Sequence, residues 1–224
     1  MNKIVIAVDG FSSCGKSTLA KQLAKTLNYI FVDSGAMYRA ITLYFLENNI
    51  RFNDTVAIER ALKNIQLKFE YVAETGKSDM LLNGVNVEQQ IREMRISENV
   101  SPVATIEAVR TFAVAAQQQM GKEKGLVMDG RDIGTTVFPD AELKIFVTAN
   151  TDVRVERRWL ELQAKGEQVS KDEVKKNLLE RDHIDTTRAI SPLQKAADAI
   201  VLDNSNLTRE QQLALALQWA KERM

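Results

Sequence analysis

The segment Gly10-Phe11-Ser12-Ser13-Cys14-Gly15-Lys16-Ser17 follows the pattern G-x-x-x-x-G-K-[ST], and it stands between an apolar run over 4–8 and a segment of helical periodicity. Glycine at both ends lets the backbone curl around an anion without Cβ clashes. Successive N–H groups and the start of the next helix then point at one phosphate. Lys16 is placed to bridge the β- and γ-phosphates of a nucleoside triphosphate, and the Ser17 hydroxyl to ligate Mg²⁺. Behind the loop, Leu19, Ala20, Leu23, Ala24 and Leu27 recur at three- and four-residue spacing, which predicts an amphipathic helix. Such a strand, loop and helix belong to a β-α-β unit, with the loop at the C-terminal end of its strand. Cys14 reads as a small filler, since nothing near it in sequence acts as a base.

Further Val- and Ile-rich runs over 29–32, 126–128, 143–147 and 199–202 alternate with helical patterns. This predicts an α/β chain of P-loop NTPase fold, with a parallel five-stranded sheet flanked by helices. The 224 residues, 45% hydrophobic and 27% charged, suit a single domain over 1–224. Thirty basic residues balance thirty acidic ones, so no overall field favours nucleic acid or a membrane surface. With one cysteine, Cys14, and one histidine, His183, there is neither an internal disulfide nor a Cys/His metal cluster. A reducing cytoplasm and a monomeric chain are the expectations, and no run is long enough to be a membrane span.

Between 65 and 87 the rhythm breaks. IQLKFEYV and DMLLNGVNV are strand-like, are separated by a polar ETGKS turn, and contain an Asn83-Gly84 pair suited to a tight hairpin. A small antiparallel insertion is expected there, within an acceptor-binding region of about 36–100. The spacing of Val103, Ile106, Val109 and Ala113 predicts a helix over 102–120 with Pro102 in its first turn. Two charged helices over 152–162 and 171–181, joined at Gly166, suggest a solvated, mobile lid at about 152–170. A capping-box pattern at Thr208 and Gln211 starts the last helix, which carries Leu213, Leu217 and Ala220.

The loop alone does not distinguish a GTPase, a motor and a kinase, but the guanine-reading N-K-x-D and a D-x-x-G switch are both absent. Arginines gather near the ends of predicted elements, at Arg39, Arg110 and Arg131, then at Arg154, Arg157 and Arg158, and at Arg181 and Arg188 with Asp185 between them. Guanidinium forks suit phosphate oxygens, and helical spacing lets each of the last two groups converge on one site. A solvated face of surface ion pairs is the alternative for any one of them. Arg39 and Arg131 follow strand ends on the P-loop side of the sheet, where ligands bind in open α/β folds. Asp129 also ends a strand. It is either an orienter of Mg²⁺-bound water or a turn-forming Asp-Gly.

The segments GFSSCGKST, DSGAMYRA, DGRDIGTTVFPDA, KIFVTA, ERDHIDTTR with SPL, and ADAIVLDNS together resemble the bacterial cytidylate kinases of the nucleoside monophosphate kinase superfamily, and they run from residue 4 to residue 205. The resemblance implies phosphorylation of CMP and dCMP by ATP with Mg²⁺. It implies that Gly10, Phe11, Ser12, Ser13, Cys14, Gly15, Lys16, Ser17 and Thr18 hold ATP, and that Ser34, Tyr38, Arg39, Gly130 and Arg131 hold the acceptor phosphate and its surroundings. Ser101, Arg110 and Asp132 would read the cytosine edge, while Arg181, Asp185 and Arg188 would address sugar and phosphates. Lys16, Arg131 and the lid arginines Arg154 and Arg158 are the implied catalytic set, with Ser17, and Asp129 through water, at the metal. Against the family pattern, His183-Ile184 and Thr186-Thr187 replace more charged residues. A P-loop kinase for another small acceptor and a non-enzymatic ATP-dependent switch are the rival readings.

Overall fold

The computed structural model of the chain describes residues 2–72 and 77–224. Its main sheet has the order β2 (Ile30–Asp33), β6 (Leu126–Gly130), β1 (Val5–Gly10), β7 (Leu143–Thr148) and β8 (Ile200–Asp203). β1 pairs in parallel with β6 and β7, and β7 with β8. Each of the five apolar runs is thus a strand. β1 is buried along its whole length, which is why it reads as continuous rather than alternating hydrophobicity. The one acidic residue in that strand, Asp9, is therefore carried into the interior.

The chain divides into two compact units, 1–31 with 124–224, and 32–123. In the first, α1 (Lys16–Leu27) buries Leu19, Ala20, Leu23 and Ala24 against Ile6, Val8, Val127 and Ile145, the expected stripe. Full burial of each such aliphatic side chain contributes about 1.5–3 kcal/mol. α8 (Arg209–Lys221) joins this core through Ala216 and Ala220, with Leu213 and Leu217 packed at its margin. Its capping box forms as the Thr208 and Gln211 pattern predicts. α6 (Thr151–Ala164) and α7 (Lys171–Thr187) make the charged hairpin, which turns at Gly166 with φ 81°. It is more than a solvated pair. Val155, Leu162, Val174 and Leu178 form a small core of their own, with Trp159 and Val169 against it.

In the second unit, α2 (Ser34–Glu47) and α3 (Thr55–Leu62) precede an antiparallel sheet of β3 (Leu67–Val72), β4 (Lys77–Leu82) and β5 (Val85–Asn86). Asn83 and Gly84 have φ of 51° and 80°, the pair of positive values a two-residue primed turn requires. Residues 74–76 of the expected polar turn lie outside the described residues. The region after it differs from expectation. Pro102 closes the last turn of α4 (Met94–Val103) rather than opening the next helix, and α5 spans Glu107–Met120. The chain breaks between them because Thr105 and Ile106 donate to Pro102 O and Val103 O, while the apolar spacing runs on across the break. No helix among the described residues is long and apolar enough to cross a membrane.

Candidate active site

β1 delivers the glycine-rich loop to the end of the sheet. Gly10 adopts φ 147°, and a Cβ there would lie 2.0 Å from Val147 O, so no other residue fits without moving β7. Ser13 and Gly15 follow with φ of 58° and 89°, the alternation that turns successive N–H groups into one concavity. Cys14 is buried and its Sγ donates to Phe11 O and Val147 O at 3.0 and 3.3 Å, which makes it a filler. Lys16 is buried at the start of α1 and donates to Phe11 O at 2.6 Å. Burial, and then the neighbouring Arg131 charge, lower its pKa, with Asp129 and Asp185 pulling the other way.

Around this loop the first unit assembles a shell of guanidinium groups. Arg131 donates from Nε to Asp185 at 2.7 Å and from one terminal nitrogen to Ser12 Oγ at 2.8 Å. Arg154 donates to Ser12 O at 2.8 Å and to Asp182 at 2.6 Å, and lies over the Phe11 ring at 5.2 Å. α7 continues to Thr187, so Asp185 and Arg188 share a face as their spacing requires, 3.8 Å apart, and Arg188 also reaches Asp132 at 3.3 Å. Burial alone would raise the Asp185 pKa. The charges of Arg131, Arg188 and Arg181 outweigh it and hold the group below the usual carboxylate range.

The other arginines of α6 disperse rather than converge. Arg157 donates to Asn204, and Arg158 pairs with Glu161 at 3.0 Å. A step of 100° per residue turns 157 and 158 apart, and Glu161 one turn on supplies a near partner.

Within the second unit, Asp33 caps α2 by accepting from Ala36 N and also accepts from Arg39 at 3.0 Å and Arg92 at 3.1 Å. Burial opposes ionisation there, but the two arginine charges prevail and lower its pKa. Ser34 opens α2, and Tyr38 one turn on lies under the buried Arg110 guanidinium at 5.5 Å. Arg110 donates to Ala104 O, and Ser101 is buried in α4.

Among the described residues no three His, Cys, Asp or Glu side chains are grouped to hold a metal. Ser17 Oγ nonetheless donates to Asp129 Oδ2 at 2.5 Å, which sets two hard oxygens side by side at the P-loop. This suits Mg²⁺, which takes one or two protein oxygens and completes its shell with water and phosphate.

Three residues to which the motifs assign no role also take part. Asp9 accepts from Ile133 N and Gly134 N. Asn204, fully buried, donates to Cys14 O at 2.6 Å and accepts from Arg157. Arg92, from the segment after the insertion, shares the Asp33 carboxylate with Arg39. The signal for Asp9 was visible as a lone carboxylate in an apolar strand; Asn204 stood within the ADAIVLDNS segment without a role of its own, and Arg92 had none.

A glycine-rich loop at the C-terminal end of a central parallel strand, with Arg131 and Arg154 hydrogen-bonded to it, marks the P-loop phosphotransferase class. The profile of the cytidylate kinase family matches residues 6–222, and the chain belongs to that family. It is 59% identical over 216 residues to a cytidylate kinase of Bacteroides thetaiotaomicron, covering 95% of this chain and 94% of that one. A cytidylate kinase of Flavobacterium psychrophilum is 57% identical over 220 residues and covers 97% of each. Among solved structures, a gluconokinase from Sinorhizobium meliloti superposes with a TM-score of 0.51 at 12% identity, covering 99% of this chain and 94% of that one. An uncharacterized protein from Eubacterium ventriosum gives 0.54 at 12% identity, over 99% of this chain and 100% of that one. These two likenesses concern the fold alone.

Proposed function

We propose that this chain transfers the γ-phosphoryl group of ATP to CMP and dCMP, giving ADP with CDP or dCDP, as a monomer acting on free nucleotides in the cytoplasm. The observation that carries the reading is the chain-long match to the cytidylate kinase family, over residues 6–222.

In this reading the residues 10–18 hold the ATP phosphates, with Lys16 across the β- and γ-groups. Ser17, and Asp129 through water, would hold Mg²⁺, which supplies positive charge to the phosphate oxygens when bound. Ser34, Tyr38, Arg39, Gly130 and Arg131 receive the acceptor phosphate. Ser101, Arg110 and Asp132 read cytosine, and Arg181, Asp185 and Arg188 address sugar and phosphates. Arg154 and Arg158 close over the transferring group, and their hairpin excludes water that would otherwise hydrolyse ATP.

No general base is needed. A phosphate monoester loses its second proton near pH 6, so the attacking oxygen is already ionised at neutrality. The only histidine, His183, is exposed on α7, in keeping with that chemistry. Catalysis reduces to holding two anions in line and neutralising charge as the phosphoryl group moves.

A panel of acceptors with Mg²⁺-ATP and a coupled ADP readout tests the proposal. CMP and dCMP should release ADP well ahead of UMP, AMP and sugar acids. Preference for another acceptor, or ATP binding without acceptor-dependent ADP release, overturns it. Arg131→Ala should lower kcat/KM for CMP by at least about 10²-fold, the scale of a lost transition-state donor, with the fold retained.

A further inference from the structure

The arch that follows β6 carries Arg131 and Asp132 between two fixed points, and one residue makes both of them. At its start, Gly130 is the strand neighbour of Asp9 in the β1 to β6 ladder. At its end, Ile133 N and Gly134 N donate to Asp9 Oδ1 and Oδ2 at 2.8 and 2.7 Å. Those two N–H groups open a one-turn π-helix over Ile133–Val137, and the residue at its cap position is Asp132. An aspartate in that position ordinarily turns its carboxylate back onto the N–H groups of its own turn. Here the Asp132 side chain makes no such bond, and its Oδ1 accepts from Arg188 instead. Asp9 does the capping, and the Asp132 carboxylate is engaged with Arg188. The fit is close, for a Cβ on Gly134 would stand 3.3 Å from Asp9 Oδ2 and 3.1 Å from the Lys144 chain.

We propose that Asp9 is a positioning residue for phosphoryl transfer: by capping the turn after β6 in place of Asp132, it holds Arg131 against the P-loop and keeps Asp132 turned toward Arg188, all of them residues assigned above to the acceptor nucleotide. The proposal rests on the CMP kinase reading above. It goes beyond that reading by assigning a role to a P-loop flanking residue that touches neither nucleotide. When Asp9 loses an acceptor oxygen, Asp132 turns back to cap its own turn, and the arch shifts. The consequence falls on the acceptor and not on the donor.

The test compares wild type, Asp9→Asn, Asp132→Asn and the double variant in steady-state assays with ATP and CMP varied separately, with ATP affinity measured by calorimetry. Wild-type CMP-dependent ADP release comes first, because its absence would defeat the kinase reading and not this one. Asp9→Asn is then expected to lower kcat/KM for CMP by tenfold or more and to narrow the CMP over UMP preference, while ATP affinity stays within about twofold. The two substitutions should be non-additive, since they act on one contact set. Additive losses, or a Asp9→Asn loss divided equally between ATP and CMP, would show an ordinary structural residue. If Asp9→Asn does not fold, Asp9→Glu, whose extra methylene moves the carboxylate off the Ile133 and Gly134 N–H groups, carries the same comparison. Unchanged CMP kinetics in the folded variant also overturns the proposal.

Discussion

At the scale of single residues, Asp9 holds its charge against its surroundings. Burial raises its pKa from 3.8 to about 6; the Gly134 and Ile133 N–H groups pull the other way, the Asp132 charge adds to the rise and Lys16 opposes it. Between those two values the native state keeps a proton that the unfolded chain has released. The stabilising contribution is therefore complete below pH 3.8 and is lost as pH rises through about 6. At neutrality the ionised group costs the fold roughly 3 kcal/mol. Asp9→Asn carries no charge at any pH, so its Tm relative to wild type should be higher at pH 7.5 than at pH 5. The change is on the order of 1 kcal/mol, or about 2–4 °C for a chain of this size. Thermal melts at the two pH values decide it, and an equal difference at both would remove the charge cost. The contrast with Lys16 and Ser17 shows where reading a sequence stops. Their roles follow from local spacing around one turn, whereas the partners of Asp9 lie 124 and 125 residues away along the chain.

At the scale of elements, the central strands β6, β1 and β7 were legible because burial on both faces leaves a continuous apolar run, the edge strands β2 and β8 because their runs stay apolar although Ile30 and Val201 are exposed, and the Asn83-Gly84 turn because its backbone demands those residue types. The break between α4 and α5 was not, since the three- and four-residue spacing passes through Val103 and Ile106 unaltered. The hairpin of α6 and α7 was legible as two charged helices, but its internal core was not. Four buried aliphatic residues spread over 155–178 look sparse in sequence and meet only when the helices fold together. That small core makes the hairpin an element with its own stability. Leu178, 1% exposed, lies within it. Leu178→Ala should cost about 2–4 kcal/mol, with the loss confined to the hairpin. Amide exchange should quicken in 151–187 and remain slow in β1 and β7; uniform quickening through the main sheet would show that the hairpin has no separate stability.

At the scale of the whole molecule, thirty positive and thirty negative charges leave no net field to draw anions in. Affinity for nucleotides must then come from the local arginine and lysine groups, of which Arg131 is held ready by Asp185 and Arg39 by Asp33. Preformed groups lose little freedom on binding, so ligand affinity passes into stability through mass action. Mg²⁺-ATP at one hundred times its Kd should stabilise the native chain by about 2.7 kcal/mol, which corresponds to a rise of roughly 5–10 °C in Tm. CMP alone should also raise Tm, because its proposed contacts do not include Lys16. Lys16→Ala therefore separates the two: the ATP shift should vanish and the CMP shift persist. An ATP shift that survives Lys16→Ala would place the triphosphate somewhere other than the loop over 10–17, and a CMP shift that disappears with it would mean that the acceptor is held by the donor site.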